Sequence, residues 1–274
     1  MDKVVIVGLG EVGSSIYHVF KNSNKYKVYG YDINPNKTID NYEEIPYPVE
    51  FLHITFPYNN RFISTVYEYA NHFKPKMIVI HSTVVPGTTR EIFHKTNIVT
   101  AFSPIRGKHP NLIKHLYFWS KWVVSLPIEK VEEAAQHLSD VGFKVKIYRG
   151  CPESVELAKL WETVYRAIMI ASWHEIHRIA RIYRAEIEAI AEFVGEVHEV
   201  LKDRPVYYPD YIGGHCLIPN TRILNEIYPS KLFEFVLESN ERRIKELEYE
   251  EIKKDVEMIK RIVLRFINKE YYVE

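Results

Sequence analysis

The 274-residue chain contains two cysteines, and the surroundings of one of them favour chemistry. Cys216 lies in the segment Gly-Gly-His-Cys-Leu-Ile-Pro-Asn, residues 213–220. A thiol on a glycine-rich loop can attack an aldehyde to form a thiohemiacetal, which can then lose hydride and become an acyl-enzyme. We therefore predict that Cys216 is a nucleophile. The competing interpretation is a small buried hydrophobic residue.

A single lysine interrupts an otherwise apolar helical stretch. Lys159 needs solvent or a partner there, because burial disfavours an ammonium ion and can adapt a lysine to acid–base chemistry. A surface lysine whose stem merely covers apolar area is the alternative. We predict that Lys159 is a second catalytic residue.

A glycine-rich turn directly follows the first predicted strand. The segment Gly8-Leu-Gly-Glu-Val-Gly13 opens a predicted helix, and Asp32 follows Gly13 by 19 residues, at the end of the second predicted strand. This is the context of a dinucleotide fingerprint, in which the helix N-terminus faces the pyrophosphate and the acidic residue accepts hydrogen bonds from the ribose. Because a carboxylate repels a 2′-phosphate, we expect NAD rather than NADP. The predicted cofactor-binding residues here are Gly8, Gly10, Glu11, Val12, Gly13 and Asp32.

Two more polar segments follow predicted strands of the same half. Ser82 and Thr83 can hydrogen-bond the phosphate or ribose of the cofactor, although a turn-forming role explains them equally well. Arg106 can bind a substrate anion through two hydrogen bonds, or form a surface ion pair. We predict cofactor binding for the first two residues and substrate binding for Arg106.

The elements that must position these residues divide the chain into two kinds of structure. To about residue 150, short apolar runs alternate with helical stretches, which predicts an α/β doubly wound parallel sheet of the Rossmann type. From Pro152 to Arg184 the pattern is one long helix, which begins a C-terminal all-α domain. The predicted domains are a Rossmann domain at 1–150, a helical domain with the cysteine loop at 151–245, and a charged helical tail at 246–274.

Five segments resemble one family, the UDP-glucose/GDP-mannose dehydrogenases. Gly213-Gly-His-Cys-Leu-Ile-Pro is similar to the family's catalytic cysteine loop, and the segment Ala-Phe-Ser-Pro-Ile-Arg, residues 101–106, is similar to its Ser-Pro-Glu-Arg segment. The other three similar segments are His81–Arg90 (the loop after strand four), Glu156–Glu175 (the long central helix) and Phe235–Arg243 (the closing helix).

The resemblance implies a four-electron oxidation of a primary alcohol on a nucleotide sugar, with NAD and a covalent thioester, in polysaccharide biosynthesis. By alignment, Lys159 matches the lysine that stabilises oxyanion charge. The resemblance also places Gly213, Gly214 and His215 with Arg106 as substrate-binding residues. It further implies a homodimer that pairs through the long helix.

Three positions depart from the family's pattern. The acid of Ser-Pro-Glu-Arg is Ile105, the asparagine four residues after the lysine is Thr163, and the aspartate four residues after the cysteine is Asn220. Neither Ile105 nor Asn220 can act as a general base, so hydrolysis by the usual route is in question. We keep Asn220 and Thr163 as candidate catalytic residues.

The departures leave two further hypotheses open. In one, Lys159 and Asn220 serve a β-hydroxyacid-type dehydrogenase that acts on a small hydroxy acid. In the other, the chain is a catalytically impaired homologue that binds NAD. We also expect a shortened form of the family, without the third domain that closes over the nucleotide.

Composition and sequence pattern argue against nucleic-acid binding, membrane association and metal binding. The 36 basic and 36 acidic residues cancel, so the chain offers no net positive field for nucleic acid or anionic lipid. No apolar run approaches a membrane span, and the N-terminus lacks a signal pattern, so we expect a cytoplasmic protein with a small-molecule substrate. His174 and His177 do not have zincin spacing, and we predict no metal.

Overall fold

A computed structural model describes residues 1–108 and 110–266. The chain divides into two compact units, Met1–Lys159 and Leu160–Glu274, hereafter unit 1 and unit 2. Residues 267–274 of the predicted charged tail lie outside the described residues.

Unit 1 contains one seven-stranded sheet in the order β2-β1-β3-β4-β5-β6-β7. The strands are β1 (Lys3–Val7), β2 (Lys27–Tyr31), β3 (Phe51–Ile54), β4 (Met77–Ile80), β5 (Val99–Phe102), β6 (Lys121–Leu126) and β7 (Val145–Ile147). Every pair from β2 to β5 in this order is parallel. The predicted Rossmann-type α/β class is confirmed.

Helices connect the strands of unit 1. They are α1 (Glu11–Asn22), α2 (Phe62–Phe73), α3 (Thr88–Thr96), α4 (Leu112–Phe118) and α5 (Val131–Asp140), with single 3-10 turns at Tyr42–Glu44 and Ile128–Lys130. The predicted long helix is also confirmed as α6 (Pro152–Tyr183), whose 32 residues correspond to ~48 Å at 1.5 Å per residue. The dimer predicted through α6 stays a prediction.

One strand pair departs from the predicted parallel arrangement. β6 runs antiparallel to β5, and Phe102 pairs with Val124. Lys121, the first residue of β6, therefore lies at the edge where the parallel strands end. Cofactors and substrates bind at that edge in doubly wound folds. A run of apolar residues carries no information on strand direction, so the sequence alone could not reveal this.

Successive strand residues face opposite sides of the sheet, and both sides are buried. In β1, Val4 and Ile6 join the core beneath α1 and α5, whereas Val5 and Val7 join the core beneath α2 and α3. Strands buried on both faces have continuous apolar runs, which is why the sequence indicated them clearly.

A buried carboxylate anchors the first turns of α6 to α3. Glu156, which is fully buried, accepts hydrogen bonds from the backbone N–H groups of Gly87 and Thr89 at 2.7 and 2.9 Å and from the Thr89 hydroxyl at 2.6 Å. Burial, opposed by these hydrogen bonds, raises the pKa of the Glu156 carboxyl. The side chain thereby supplies the anion that the N-terminus of α3 prefers.

Replacing Glu156 with Ala is expected to destabilise unit 1 by about 3 kcal/mol, because three donors, two of them on the buried Thr89, lose their acceptor. Urea denaturation followed by circular dichroism measures the loss. Glu153→Ala is the matched control one turn earlier on α6, where the carboxylate forms an exposed ion pair with Arg90. Such pairs contribute less than about 1 kcal/mol. Equal losses in the two variants would contradict the anchoring role.

In its described part, unit 2 contains helices and loops but no strand. After α6 it contains α7 (Ile187–Leu201), α8 (Leu217–Ile227), α9 (Lys231–Glu246) and α10 (Glu250–Val263). Its core includes Leu160, Val164, Leu224 and Phe233, next to Ala167, Ala171, Ile212 and Val236. Over the described residues, none of the helices combines the length and the apolar character that a membrane crossing requires.

Candidate functional site

The glycine turn brings α1 into direct contact with the end of β1. Gly8 has φ +94°, which favours glycine, and its N–H donates to the Tyr31 carbonyl at 2.9 Å. A Cβ on Gly13 would lie 1.8 Å from the Gly8 carbonyl oxygen and 2.6 Å from the Thr55 hydroxyl. Gly13 is therefore required by a close backbone approach.

The space in front of α1 is open at Gly10. This residue caps α1, has no side chain to offer the first-turn N–H groups, and would carry a Cβ with nothing within 4 Å. Glu11 is exposed in the first turn, and Val12 packs against the core. A helix N-terminus left open in this way can bind a phosphate through its backbone N–H groups. The turn thus has the shape that a dinucleotide pyrophosphate requires.

Asp32 connects the end of β2 to the glycine turn. One carboxylate oxygen accepts from the Leu9 N–H at 2.6 Å, and the other accepts from the Asn34 N–H at 2.8 Å. The side chain is partly exposed, and each oxygen keeps a second lone pair. Asp32 is therefore held rigidly beside the turn and can still accept from a ribose hydroxyl.

Ser82 and Thr83 follow β4 at the same sheet edge. The Ser82 hydroxyl is buried and donates to the Phe56 carbonyl at 2.7 Å, so its proton is engaged with the backbone. Only its oxygen lone pairs remain for a ligand. Thr83 is half-buried.

The segment after β5 contains Arg106 and Ile105. The Arg106 guanidinium donates to the Ser120 carbonyl at 2.6 Å and lies 4.9 Å from the Trp119 ring centroid. These contacts hold the arginine at the strand ends and use part of its donor capacity. Ile105 is buried in the core, so this position supplies packing where the family pattern has an acid.

The cysteine loop of unit 2 ends at the first turn of α8. Cys216 is a free, exposed thiol immediately before Leu217. Gly214 has φ +83° and is exposed, as is His215, whereas Gly213 is half-buried. The first-turn N–H groups of α8 favour negative charge close to the cysteine.

Two buried side chains, neither of which the sequence analysis assigned to this site, fix the segment leading into this loop. His174 lies within hydrogen-bond distance of the Asp210 carbonyl, at 2.6 Å, and the Asn240 carboxamide oxygen accepts from the Ile212 N–H at 2.6 Å. Burial lowers the pKa of His174 to about 4, so the ring is neutral at pH 7. Asn240 lies in the Ser-Asn-Glu-Arg segment, where its burial opposite a loop backbone could not be inferred.

Asn220 and Thr163 meet in unit 2. The Asn220 carboxamide donates to the Thr163 hydroxyl at 2.8 Å, and that hydroxyl donates to the Leu160 carbonyl at 2.8 Å. The Asn220 N–H also donates to the Cys216 carbonyl at 2.9 Å. Three of the four predicted catalytic residues are therefore linked by hydrogen bonds. The fourth, Lys159, is the half-buried last residue of unit 1.

His174 and His177 have structural partners in unit 2. The second ring nitrogen of His174 lies 3.1 Å from the Ser239 hydroxyl, and His177 lies 2.9 Å from both Asp255 and the buried Arg243 guanidinium. Burial lowers the pKa of Arg243 to about 10. Within residues 1–108 and 110–266, no three metal-ligating side chains group together.

The model of the UDP-glucose/GDP-mannose dehydrogenase family, central domain, matches residues 153–242. Over residues 153–242 the chain is similar to this family. The match contains nearly all of α6, then α7, the cysteine loop, α8 and most of α9, so the predicted resemblance is confirmed. The proteins similar to this chain include dehydrogenases of nucleotide sugars and of small hydroxy acids.

One such relative is the UDP-N-acetyl-D-mannosamine dehydrogenase of Methanocaldococcus jannaschii, which is 29% identical over 166 residues. The matched part is 58% of this chain and 37% of that relative, little more than a third of its length.

Two solved structures show the same fold. The UDP-D-ManNAc dehydrogenase of Pyrococcus horikoshii superposes with a TM-score of 0.76 and 20% identity, over 88% of this chain and 68% of that one. The 3-hydroxyisobutyrate dehydrogenase of Mycobacterium tuberculosis, solved with L-serine, has a TM-score of 0.67 and 13% identity, over 87% of this chain and 92% of that one.

Proposed function

We propose that this chain is an NAD-dependent oxidoreductase that oxidises an alcohol of a nucleotide sugar or a sugar-like substrate, with Cys216 as the nucleophile. The observation that carries the proposal is the exposed, unpaired thiol immediately before α8, inside the segment that matches the dehydrogenase family. A thiol kept only for packing would be buried.

In the proposal, unit 1 binds the cofactor through the turn at Gly8–Gly13. The open space at Gly10 receives the pyrophosphate, and Asp32 accepts from the adenosine ribose. The negative charge of Asp32 repels a 2′-phosphate, which favours NAD. When bound, the cofactor supplies the hydride acceptor.

In the same proposal, Cys216 and its neighbours carry out the chemistry at the carbonyl carbon of the substrate. The Cys216 sulfur attacks the aldehyde formed by a first oxidation, and a proton joins the oxygen to give a thiohemiacetal. Loss of hydride from that carbon gives a thioester, and water then releases the acid and restores the thiol. Lys159 stabilises the oxyanion, and Asn220, held by Thr163, positions the substrate oxygen.

A second function is favoured by the residues at the two positions where the family has an acidic side chain. Ile105 is buried in the core and Asn220 is an amide, so neither position supplies a base for thioester hydrolysis. A β-hydroxyacid-type oxidation needs one hydride transfer and no thiol.

Cys216→Ala separates the two functions. With NAD and a panel of nucleotide sugars, the wild type is expected to form two NADH per acid released, because the thiol enables the second oxidation. The variant is expected to lose acid formation by about 100-fold or more, since it removes the covalent step. Absorbance at the NADH band and mass spectrometry of the product and of the acyl-enzyme measure the effect.

Cys151→Ala is the matched control, because Cys151 is the other exposed free thiol and lies in unit 1. It is expected to retain the wild-type stoichiometry. Turnover of a small hydroxy acid that is equal in wild type and Cys216→Ala would support the second function. Binding of NAD without turnover of either substrate class would overturn both.

A further inference from the structure

A continuous row of polar side chains crosses the interior of unit 1 on one face of the sheet. It begins at Lys121 and continues through His81, His53 and His137. The Lys121 amine lies 3.4 Å from His81 Nδ1, His81 Nε2 lies 2.9 Å from His53 Nδ1, and His53 Nε2 lies 2.8 Å from His137 Nε2. Lys121 and the three histidines are each at most 3% exposed.

The row continues to the surface through a phenol and a carboxylate. His137 Nδ1 lies 3.0 Å from the Tyr26 hydroxyl, which lies 3.0 Å from Asp140 Oδ2. Asp140 is the partly exposed last residue of α5. Six side chains thus connect a buried amine with solvent, with no gap longer than 3.4 Å.

Aromatic rings exclude water from the centre of this row. Phe51 stacks on His137 with the ring centroids 3.5 Å apart, and Phe20 lies against both His53 and His137 at 4.8 and 4.9 Å. The histidines therefore have one another, rather than water, as partners. Burial, and then the neighbouring charges, holds the pKa of His53 and His81 well below the usual range.

The charges that face the row lie at its two ends. At the inner end, the Lys121 amine donates to the Ser103 and Pro104 carbonyls, and burial, with the charges of Arg106 and Lys159, holds its pKa well below the usual range. At the outer end, burial and the Asp140 carboxylate raise the pKa of Tyr26, with a smaller effect from Asp2.

We propose that Lys121, His81, His53, His137, Tyr26 and Asp140 form a proton relay, which carries a proton between the buried amine and the surface carboxylate. The relay does not depend on the proposed dehydrogenase activity. Its inner end contacts the backbone of the segment that leads to Arg106, at the sheet edge where doubly wound folds bind ligands.

Two arrangements of protons satisfy the five contacts between neighbours in the row with neutral imidazoles. In the first, each hydrogen points outward, toward Asp140. Lys121 donates to His81, and His81 and His53 each donate from Nε2 to the next histidine. His137 then donates from Nδ1 to Tyr26, and Tyr26 donates to the Asp140 carboxylate. In the second, each hydrogen points inward: protonated Asp140 donates to Tyr26, Tyr26 donates to His137, and each imidazole donates from its other nitrogen.

The two ends are built to accept either arrangement. His81 Nδ1 has a donor, the Lys121 amine, at 3.4 Å and an acceptor, the Ser103 carbonyl, at 2.8 Å. It therefore accepts in the outward arrangement and donates in the inward one. The Tyr26 hydroxyl, between His137 and Asp140 at equal distances, can likewise rotate toward either neighbour.

The transfer is balanced bond by bond. Each of the five hydrogens moves across its own contact toward Asp140, so the lysine ammonium becomes an amine and the carboxylate becomes a carboxylic acid. No electrons leave any group, and every imidazole ends neutral with its proton on the opposite nitrogen. Asp140 then exchanges its proton with water.

Asp140→Asn tests the relay at pH 7, because the variant imitates the protonated Asp140 carboxyl without a decrease in pH. The Gln136 side-chain amide donates to Asp140 Oδ1 at 2.7 Å, so an asparagine is expected to place its oxygen there and its NH₂ toward Tyr26, as the protonated acid would. The tautomers are read from ¹⁵N-labelled imidazoles by long-range proton–nitrogen NMR. In wild type we expect the proton on Nδ1 of His137 and on Nε2 of His53 and His81, with all three reversed in the variant.

Two further variants make the outcome decisive. Tyr26→Phe, added to Asp140→Asn, removes one hydroxyl and is expected to abolish the joint reversal. Asp2→Asn makes the same change at the other carboxylate near Tyr26 and is expected to leave the wild-type tautomers in place. Amide spectra establish that each variant is folded. Tautomers that stay unchanged in Asp140→Asn, that change singly, or that reverse without Tyr26 would overturn the relay.

Discussion

Replacing Gly13 with Ala is expected to destabilise unit 1 by about 3 kcal/mol or more, because the new Cβ has no space. It would lie 1.8 Å from the Gly8 carbonyl oxygen, which is backbone and cannot rotate away. The overlap can be removed only if α1 moves away from the end of β1. This movement would separate apolar side chains of α1 and β1 that pack in one core. Urea denaturation followed by circular dichroism measures the loss, and the NAD binding of the proposed function is expected to disappear with the fold.

Gly10→Ala is the matched variant three residues earlier in the same turn. Its Cβ meets nothing within 4 Å, and Gly10 has φ −69°, which alanine adopts freely. Stability is therefore expected to change by less than about 1 kcal/mol. In the proposed function the Cβ occupies the space of the pyrophosphate, so calorimetry should show NAD affinity reduced at least ~10-fold, a loss of about 1.4 kcal/mol. Equal effects of the two substitutions on stability would contradict the close approach at Gly13.

The glycine turn is a part of the candidate site that could be predicted from the sequence. Gly8 and Gly13 are each required by a local property of the backbone, and Asp32 directly follows a strand that neighbours β1 in the sheet. Both requirements follow from short segments and from the alternation of strand and helix. The same reasoning located the cysteine loop, because Gly214 and Cys216 lie two residues apart along the chain.

Contacts between distant segments were not accessible in this way. The hydrogen bond from Asn220 to Thr163 joins residues 57 positions apart, and it gives Thr163 a positioning role that its type alone did not suggest. Glu156 lies in the segment that resembles the family's long helix, yet nothing local predicts that its carboxylate anchors α3. Each of these contacts depends on how helices pack.

The buried relay was missed for a different reason. His53, His81 and Lys121 occur within or beside apolar strands, where alternate residues share a face of the sheet. Phe51, Met77 and Val123 have the same parity, and they face the core beneath α1 and α5. Aligning the polar positions requires strand order and the antiparallel direction of β6, which the sequence does not encode locally.

Lowering the pH from 7.5 to 5 is expected to destabilise both units, because each contains a buried neutral histidine. Burial lowers the pKa of His137 in unit 1 to about 3 and of His174 in unit 2 to about 4. In the unfolded chain a histidine binds its proton near pH 6.5. Between these values the unfolded state binds more protons, so stability is complete above about pH 6.5 and falls as the pH decreases. The loss is about 1.4 kcal/mol per histidine per pH unit, or about 2 kcal/mol for each at pH 5.

Urea denaturation at pH 7.5, 6 and 5 measures this dependence, and a pair of histidine variants assigns it. His137→Gln removes a titrating ring that is 2% exposed, so its loss of stability between pH 7.5 and 5 should be smaller than that of the wild type by about 2 kcal/mol. His18→Gln makes the same change on the exposed side of α1 and should leave the dependence as it is. A wild-type stability that stays constant down to pH 5 would mean that the buried imidazoles become protonated without unfolding. In unit 1 the proton relay would then hold a charged histidine, instead of passing its proton to Asp140.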